Sequence, residues 1–208
     1  MGSKFFDRAY GTTEQEAVED LYEDWAATYD ADLIENGYQT PARCAAALAH
    51  QLADRRAPIL DFACGTGLSG AALAAAGFRV IDGVDLSQAM LEAAGRRGVY
   101  RNLSKAEAGA PPPAAPGDYA AIAAAGALSP GAAPAEYFDM LLDCLAPGGL
   151  LAFSFNDHTL ADETYTSRLE GALADGKVGE RFKEKGDHIV KLGSKSIVYV
   201  LEKLSPPA

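Results

Sequence analysis

Residues 59–67, Ile-Leu-Asp-Phe-Ala-Cys-Gly-Thr-Gly, constrain the fold of this chain more than any other stretch. An apolar run ends in an acid, Asp61, and is followed by Gly65-Thr66-Gly67. Residues 68–75 are then good helix formers apart from Gly70. The pattern predicts a buried strand, a glycine turn and a helix start. Glycine has no Cβ, so such a turn lets backbone come close to a ligand. The unbonded N–H groups at the helix start favour an electronegative ligand atom. The turn therefore predicts a site for a nucleoside-containing cofactor.

The rest of the chain repeats the strand–helix alternation. Ala17, Leu21, Tyr22, Trp25 and Tyr29 recur at helical spacing over 13–29, and Thr13 with Glu16 matches a capping box. Gly37 interrupts, and Pro41 can open a second helix to about Leu52. Ala57–Asp61 is expected as the first strand, with Leu68–Ala76 as the next helix, closed by Gly77. Phe78–Val84 is a strand with Asp85 at its end, and Ser87 caps a helix to about Gly95. Val99–Ser104 and Tyr119–Ala125 are further strands, separated by an Ala-, Pro- and Gly-rich loop over 108–117. Pro134–Leu145 is a helix, Pro147-Gly148-Gly149 a sharp turn, Leu150–Phe155 a strand, and 162–174 a helix. Phe182–Leu192 and Ser196–Lys203, parted by Gly193-Ser194, read as an antiparallel hairpin. Strands alternating with helices imply an α/β fold, Rossmann-like, with helices on both faces of a mostly parallel sheet. With the hairpin the sheet has seven strands. We expect a single domain over 1–208, with 1–54 as a helical cap on a core of 55–208.

Charge narrows the partners. The 208 residues carry a formal net charge of −11. That argues against nucleic acid, whose binding draws on Lys and Arg, and against an anionic membrane surface. No stretch approaches the roughly 20 apolar residues needed to span a bilayer. Cys44, Cys64 and Cys144 show no spacing for a disulfide framework or a metal site. With no apolar signal core at residues 1–8, the expectation is a cytoplasmic protein without a metal, monomeric or homodimeric.

At this point the chain resembles the class I S-adenosylmethionine-dependent methyltransferases, over about Tyr22 to Lys203. Asp61-Phe-Ala-Cys-Gly65-Thr-Gly67 is similar to their first motif. Val84-Asp85-Leu86-Ser87-Gln88-Ala89-Met90-Leu91 is similar to the second, and Leu145-Ala-Pro147-Gly148-Gly149 to the late motif before a strand. Tyr22-Glu-Asp-Trp25-Ala-Ala-Thr-Tyr29-Asp30 and Tyr100-Arg-Asn-Leu-Ser-Lys-Ala-Glu107 resemble the small methyltransferase-like proteins related to the Williams–Beuren-region methyltransferase. Glu107 stands where similar sequences carry Asp.

The resemblance implies S-adenosylmethionine as cofactor, a small-molecule methyl acceptor, and roles for named residues. Asp85, at a strand end, can accept hydrogen bonds from both ribose hydroxyls. Asp61 would orient the glycine loop and face the methionyl end. Ala63, Gly65, Thr66 and Gly67 would bring backbone against the cofactor, with Cys64 packed beside them. Leu86 and Met90 would flank adenine, although a methionine one turn into a helix is as readily core. Ala106 and Glu107 would meet the adenine edge. Trp25 and Tyr29 share a helix face that is either core or a cover over the cofactor, with Tyr38 a weaker candidate. His158, after Asn156-Asp157 at the end of the fifth strand, is the candidate general base. His50 and His188 read as structural. Two other functions compete: cofactor binding without catalysis, and nicotinamide-dependent oxidoreduction. The latter follows from Gly65, Gly67 and Gly70, which satisfy G-x-G-x-x-G with Asp85 downstream.

Overall fold

The computed structural model describes residues 29–205, and of Tyr29 the backbone alone. The helix expected over 13–29, with Thr13, Glu16 and Trp25, therefore lies outside the described residues, as does the Tyr29 side chain. The described chain opens with α1 (Tyr29–Asn36), stopped by Gly37 at φ +76°. Then α2 spans Thr40–Gln51, with Pro41 in its first turn. The core follows as β1 (Ile59–Phe62), α3 (Leu68–Ala75), β2 (Ile81–Asp85), α4 (Gln88–Gly95) and β3 (Asn102–Lys105). It continues with β4 (Ala121–Ala124), α5 (Glu136–Asp143), β5 (Leu150–Asn156), α6 (Asp157–Leu160) and α7 (Glu163–Ala174). The long strands β6 (Val178–Ile189) and β7 (Ser194–Lys203) close it, joined by a 3-10 turn at Val190–Leu192.

The seven strands lie in the order β3-β2-β1-β4-β5-β7-β6. The pairs among β1 to β5 are parallel, and β7 runs antiparallel to both β5 and β6. Alternate residues feed opposite faces of the sheet, as the pleat requires. Leu60, Phe62, Val84, Ile122, Phe153, Phe155 and Tyr199 pack with Phe138, Leu141 and Leu142 of α5 and Tyr165 and Leu169 of α7. Ile59, Ile81, Ala121, Ala123, Ala152, Val198 and Val200 pack with Cys44, Ala45 and Leu48 of α2 and with Leu73 and Phe78. All four residues of β4 are buried. Burial on both faces is what lets Ala-Ile-Ala-Ala serve as a strand despite its weak intrinsic preference.

Several boundaries differ from the sequence expectation, each for a local reason. The second strand begins at Ile81, not Phe78, because the Phe78 amide donates to Leu73 O and finishes the turn that closes α3. The third strand begins at Asn102. There Arg101 and Asn102 both bond to the Asp82 carboxylate. The segment after the fifth strand is a one-turn helix, α6, capped by Asn156, whose Oδ1 accepts the Thr159 amide at 3.0 Å. The hairpin turn starts earlier than expected, at Val190, and β7 already begins at Ser194, whose hydroxyl accepts the Ile189 amide.

Strand β1 lies between β2 and β4. Chain connections leave β1 and β4 towards opposite edges of the sheet, which opens a crevice at their carboxyl ends. The loops described next line that crevice. No helix among the described residues is long and apolar enough to cross a membrane.

Candidate functional site

The loop after β1 is built from left-handed backbone. Ala63, Gly65 and Gly67 have φ of +52°, +54° and +86°. Two amides pin it: Cys64 N donates to Val84 O at 3.0 Å, and Gly67 N to Cys64 O at 2.9 Å. The glycines differ in what requires them. A Cβ on Gly65 would project into open space, with nothing within 4 Å. A Cβ on Gly67 would stand 2.8 Å from Arg97 Cδ and 3.0 Å from Tyr100 Cε2. One on Gly70 would lie 2.2 Å from the Tyr100 hydroxyl. Gly65 therefore leaves a hollow on the crevice side, while Gly67 and Gly70 make room for Tyr100. Gly83 on β2 does the same, its Cβ position lying 2.9 Å from the Tyr100 ring.

Tyr100 holds Asp61. The phenol and the Ser69 hydroxyl both donate to Asp61 Oδ2 at 2.7 Å. Asp61 is fully buried, and its Oδ1 has no hydrogen-bond partner among the described residues. Burial is the main reason its pKa is pushed up from 3.8 to about 6. The Ser69 and Tyr100 hydroxyls and the Gly70 amide oppose the rise, and the nearby Asp85 charge adds to it. An unpartnered buried carboxylate oxygen is costly. A cationic donor would relieve that cost.

Asp85, half-buried at the end of β2, ties two loops together. Its Oδ2 accepts the Gly65 amide at 2.8 Å and its Oδ1 the Ser87 amide at 2.9 Å. A carboxylate has about four lone-pair sites for donors. Ser87 caps α4 as expected, accepting Met90 N at 3.1 Å. Leu86 is half-buried beside it. Met90 is 1% exposed. The Ala106 amide donates to Asp85 O at 2.8 Å and brings the loop after β3 alongside, where Glu107 is exposed.

Helix α1 docks onto the glycine loop. Thr66 is buried and donates its hydroxyl to Asp30. Arg97 pairs with the same carboxylate and donates Nε to Thr66 O at 2.6 Å. The Tyr29 backbone is thus one residue from the loop. Tyr38 lines a small cavity together with Pro41, Ala63, Gly65, Thr66, Leu68, Ser69 and Ala125. His158 is exposed on α6 and is not among the residues lining that cavity. His50 is exposed on α2, and His188 is buried against Thr40.

The geometry brings Asp61, Ala63, Gly65, Thr66, Gly67 and Asp85 together, with Leu86, Ala106 and Glu107 at one end. Sequence reasoning missed Asp30, Ser69, Arg97 and Tyr100. No local signal marked Tyr100: Gly67, Gly70 and Gly83, whose Cβ positions would lie against its ring or hydroxyl, come from two elements that only the fold brings together.

Residues 59–149 match the family described as a methyltransferase domain. Human methyltransferase-like protein 27 is 36% identical over 156 residues, covering 74% of this chain; the match spans 63% of that relative's own length. A structure of an S-adenosyl-L-methionine-dependent methyltransferase from Methanococcus maripaludis superposes with a TM-score of 0.64 at 13% identity, covering 91% of this chain and 95% of that one. One from Thiobacillus denitrificans, solved with S-adenosyl-L-homocysteine, gives 0.54 at 16% identity over 77% of this chain and 91% of that one. At these identities the two structures bear on fold alone.

Proposed function

We propose that this chain, which belongs to the class I S-adenosylmethionine-dependent methyltransferases, transfers a methyl group from S-adenosylmethionine to a small-molecule acceptor. The observation that carries the reading is the buried Asp61, whose Oδ1 has no partner among the described residues, beside the hollow at Gly65 and the Asp85 carboxylate. This set fits a methionyl ammonium at one end and ribose hydroxyls at the other. Asp85, braced by two amides, would hold the ribose. Leu86, Ala106 and Glu107 would border the base, and the glycine loop would carry the chain between. Tyr29, the first residue of α1, and Trp25, four residues earlier in the chain, would cover the methionyl end. A nicotinamide has no ammonium to answer Asp61, and Gly70 is explained by Tyr100 without any pyrophosphate.

When bound, the cofactor supplies an electrophilic methyl group on a sulfonium. The protein's own work is binding, orientation and exclusion of water. Among the described residues the cavity lining holds no evident general base, and His158 is not part of it. That suits an acceptor whose nucleophilic atom needs no strong base, and equally favours the second reading, cofactor binding without catalysis. The net charge of −11 favours a small molecule over nucleic acid.

The test uses S-adenosylmethionine carrying a 13C-labelled methyl group, incubated with the protein and the small-molecule fraction of a cell extract. Methyl transfer yields S-adenosylhomocysteine and a labelled product in the mass spectrum. Binding of the cofactor with neither product would support the non-catalytic reading instead.

A further inference from the structure

Asp61 and Asp85 lie near the ends of neighbouring strands and are braced differently. Asp85 accepts the Gly65 and Ser87 amides. Asp61 relies on hydroxyls brought from two other segments, Ser69 of α3 and Tyr100, which both donate to Oδ2 at 2.7 Å. Tyr100 is carried in by the turn between α4 and β3. Gly98 takes φ +64° there, and the Arg101 amide donates to Ile81 O at 2.7 Å, which ties the turn to β2. A Cβ on Gly67, Gly70 or Gly83 would stand 3.0, 2.2 or 2.9 Å from the Tyr100 ring or hydroxyl. Packing accounts for the ring, which fills the space that those glycines leave. It does not require the oxygen, which a phenylalanine would lack. That oxygen bonds a carboxylate that is fully buried.

The groups that face Asp61 act on its charge in opposite directions. Burial and the Asp85 carboxylate disfavour the ionised form. The Ser69 and Tyr100 hydroxyls and the Gly70 amide favour it, as donors to a carboxylate do. The nearby thiols of Cys44 on α2 and Cys64 in the glycine loop are kept neutral by burial, that of Cys44 pushed up to about 12. Burial and the Asp61 charge also push the Tyr100 phenol up, so it remains a donor at every pH where the protein works.

We propose that Tyr100 is a positioning residue for the cofactor: its phenol holds the buried Asp61 carboxylate ionised, with Oδ1 turned to the methionyl ammonium. This rests on the methyltransferase reading above. Tyr100 acts through Asp61 and does not touch the ligand. Without the phenol, Oδ2 keeps the Ser69 hydroxyl, and the acid takes up a proton at a higher pH. Bound ammonium must then expel that proton, so affinity falls where Asp61 is protonated and recovers where it is ionised in either protein.

Calorimetry tests this by measuring S-adenosylhomocysteine affinity from pH 5 to 8.5. The proteins are wild type, Tyr100→Phe, Asp61→Asn, the double variant, and Tyr119→Phe. Tyr100→Phe keeps the ring that packs against the three glycines, and a cooperative melting transition shows that it is folded. Tyr119→Phe is the control, because it removes a similar phenol–carboxylate bond, to Asp82 Oδ2 at 2.9 Å, near the amino end of β2. The affinity midpoint, near pH 6 in wild type, should rise by about one pH unit in Tyr100→Phe. Relative to wild type the variant should then bind about fivefold more weakly at pH 6, about twofold at pH 7 and equally at pH 8.5. In the Asp61→Asn background, removing the phenol should change affinity by less than about twofold at every pH, since the two residues act as one unit. Tyr119→Phe should leave the profile where it is. An unmoved midpoint in Tyr100→Phe, or a loss equal at all pH values, would overturn the proposal. So would the same loss in the Asp61→Asn background, or an equal shift in Tyr119→Phe. If wild type binds no S-adenosylhomocysteine at any pH, the methyltransferase reading itself falls, and the proposal with it.

Discussion

Cofactor affinity should depend on pH through Asp61. In the unliganded protein burial raises its pKa from 3.8 to about 6, a change on the order of 3 kcal/mol against the ionised form. The sign follows from linkage: a folded-state pKa above the unfolded value stabilises the protein below pH ~4, and that contribution is lost as pH rises through about 6. A bound ammonium needs the ionised form, so it reverses the preference and expels the proton. At pH 7 about nine-tenths of Asp61 is ionised, and at pH 5 about one-tenth. Apparent affinity for S-adenosylhomocysteine should therefore fall about tenfold between pH 7 and pH 5, or about 1.4 kcal/mol. Calorimetry at pH 6 in two buffers of different ionisation enthalpy should detect proton release on binding. Asp61→Asn should bind more weakly at pH 7 and lose most of the pH dependence. A wild-type affinity that is flat from pH 5 to 7, or proton uptake at pH 6, would refute the reasoning.

Other expectations follow from the same loops. Asp85→Ala removes a carboxylate that accepts two backbone amides as well as the proposed ribose contact. S-adenosylhomocysteine should bind roughly ten- to a hundredfold more weakly, and the chemical-denaturation midpoint should also drop; an unchanged dissociation constant in a folded variant would remove Asp85 from the site. Gly70→Ala pushes a methyl into the Tyr100 hydroxyl, so it should destabilise the fold by about 1–3 kcal/mol and weaken cofactor binding through Asp61. A variant as stable as wild type would show that Tyr100 moves freely. Asp30→Ala cuts a partly exposed pairing, so its global cost should stay below about 1 kcal/mol. Hydrogen exchange over 29–36 should nevertheless quicken, and equal protection in both proteins would show that α1 is held by other contacts.

What the sequence disclosed here was whatever is local in the chain. The strand before Asp61, the glycine turn, the Ser87 cap and the alternating hairpin each follow from neighbouring residues, and the sheet follows from their order. Asp61, Gly65 and Asp85 could be proposed as ligand-facing for the same reason, since they lie in or just after the ends of β1 and β2. Tyr100 was not, because its role comes from three glycines spread over two elements that only the fold brings together. Asp30 and Arg97 are 67 residues apart and meet only across the glycine loop. Met90 was ambiguous in sequence because helical spacing serves core and ligand alike, and the structure buries it. The His158 expectation rested on a loop that proved to be a capped helical turn, on which His158 is exposed. His188 read as structural, and it is buried with its Nδ1 2.7 Å from Thr40 Oγ1.

The central claim is that the loops after β1 and β2 hold S-adenosylmethionine. A crystal structure of the protein grown with S-adenosylhomocysteine tests it most directly. The account predicts the amino group beside Asp61 Oδ1, the methionyl backbone in the hollow at Gly65, and both ribose hydroxyls on Asp85. Density for the ligand elsewhere, or a ribose that makes no contact with Asp85, would contradict it.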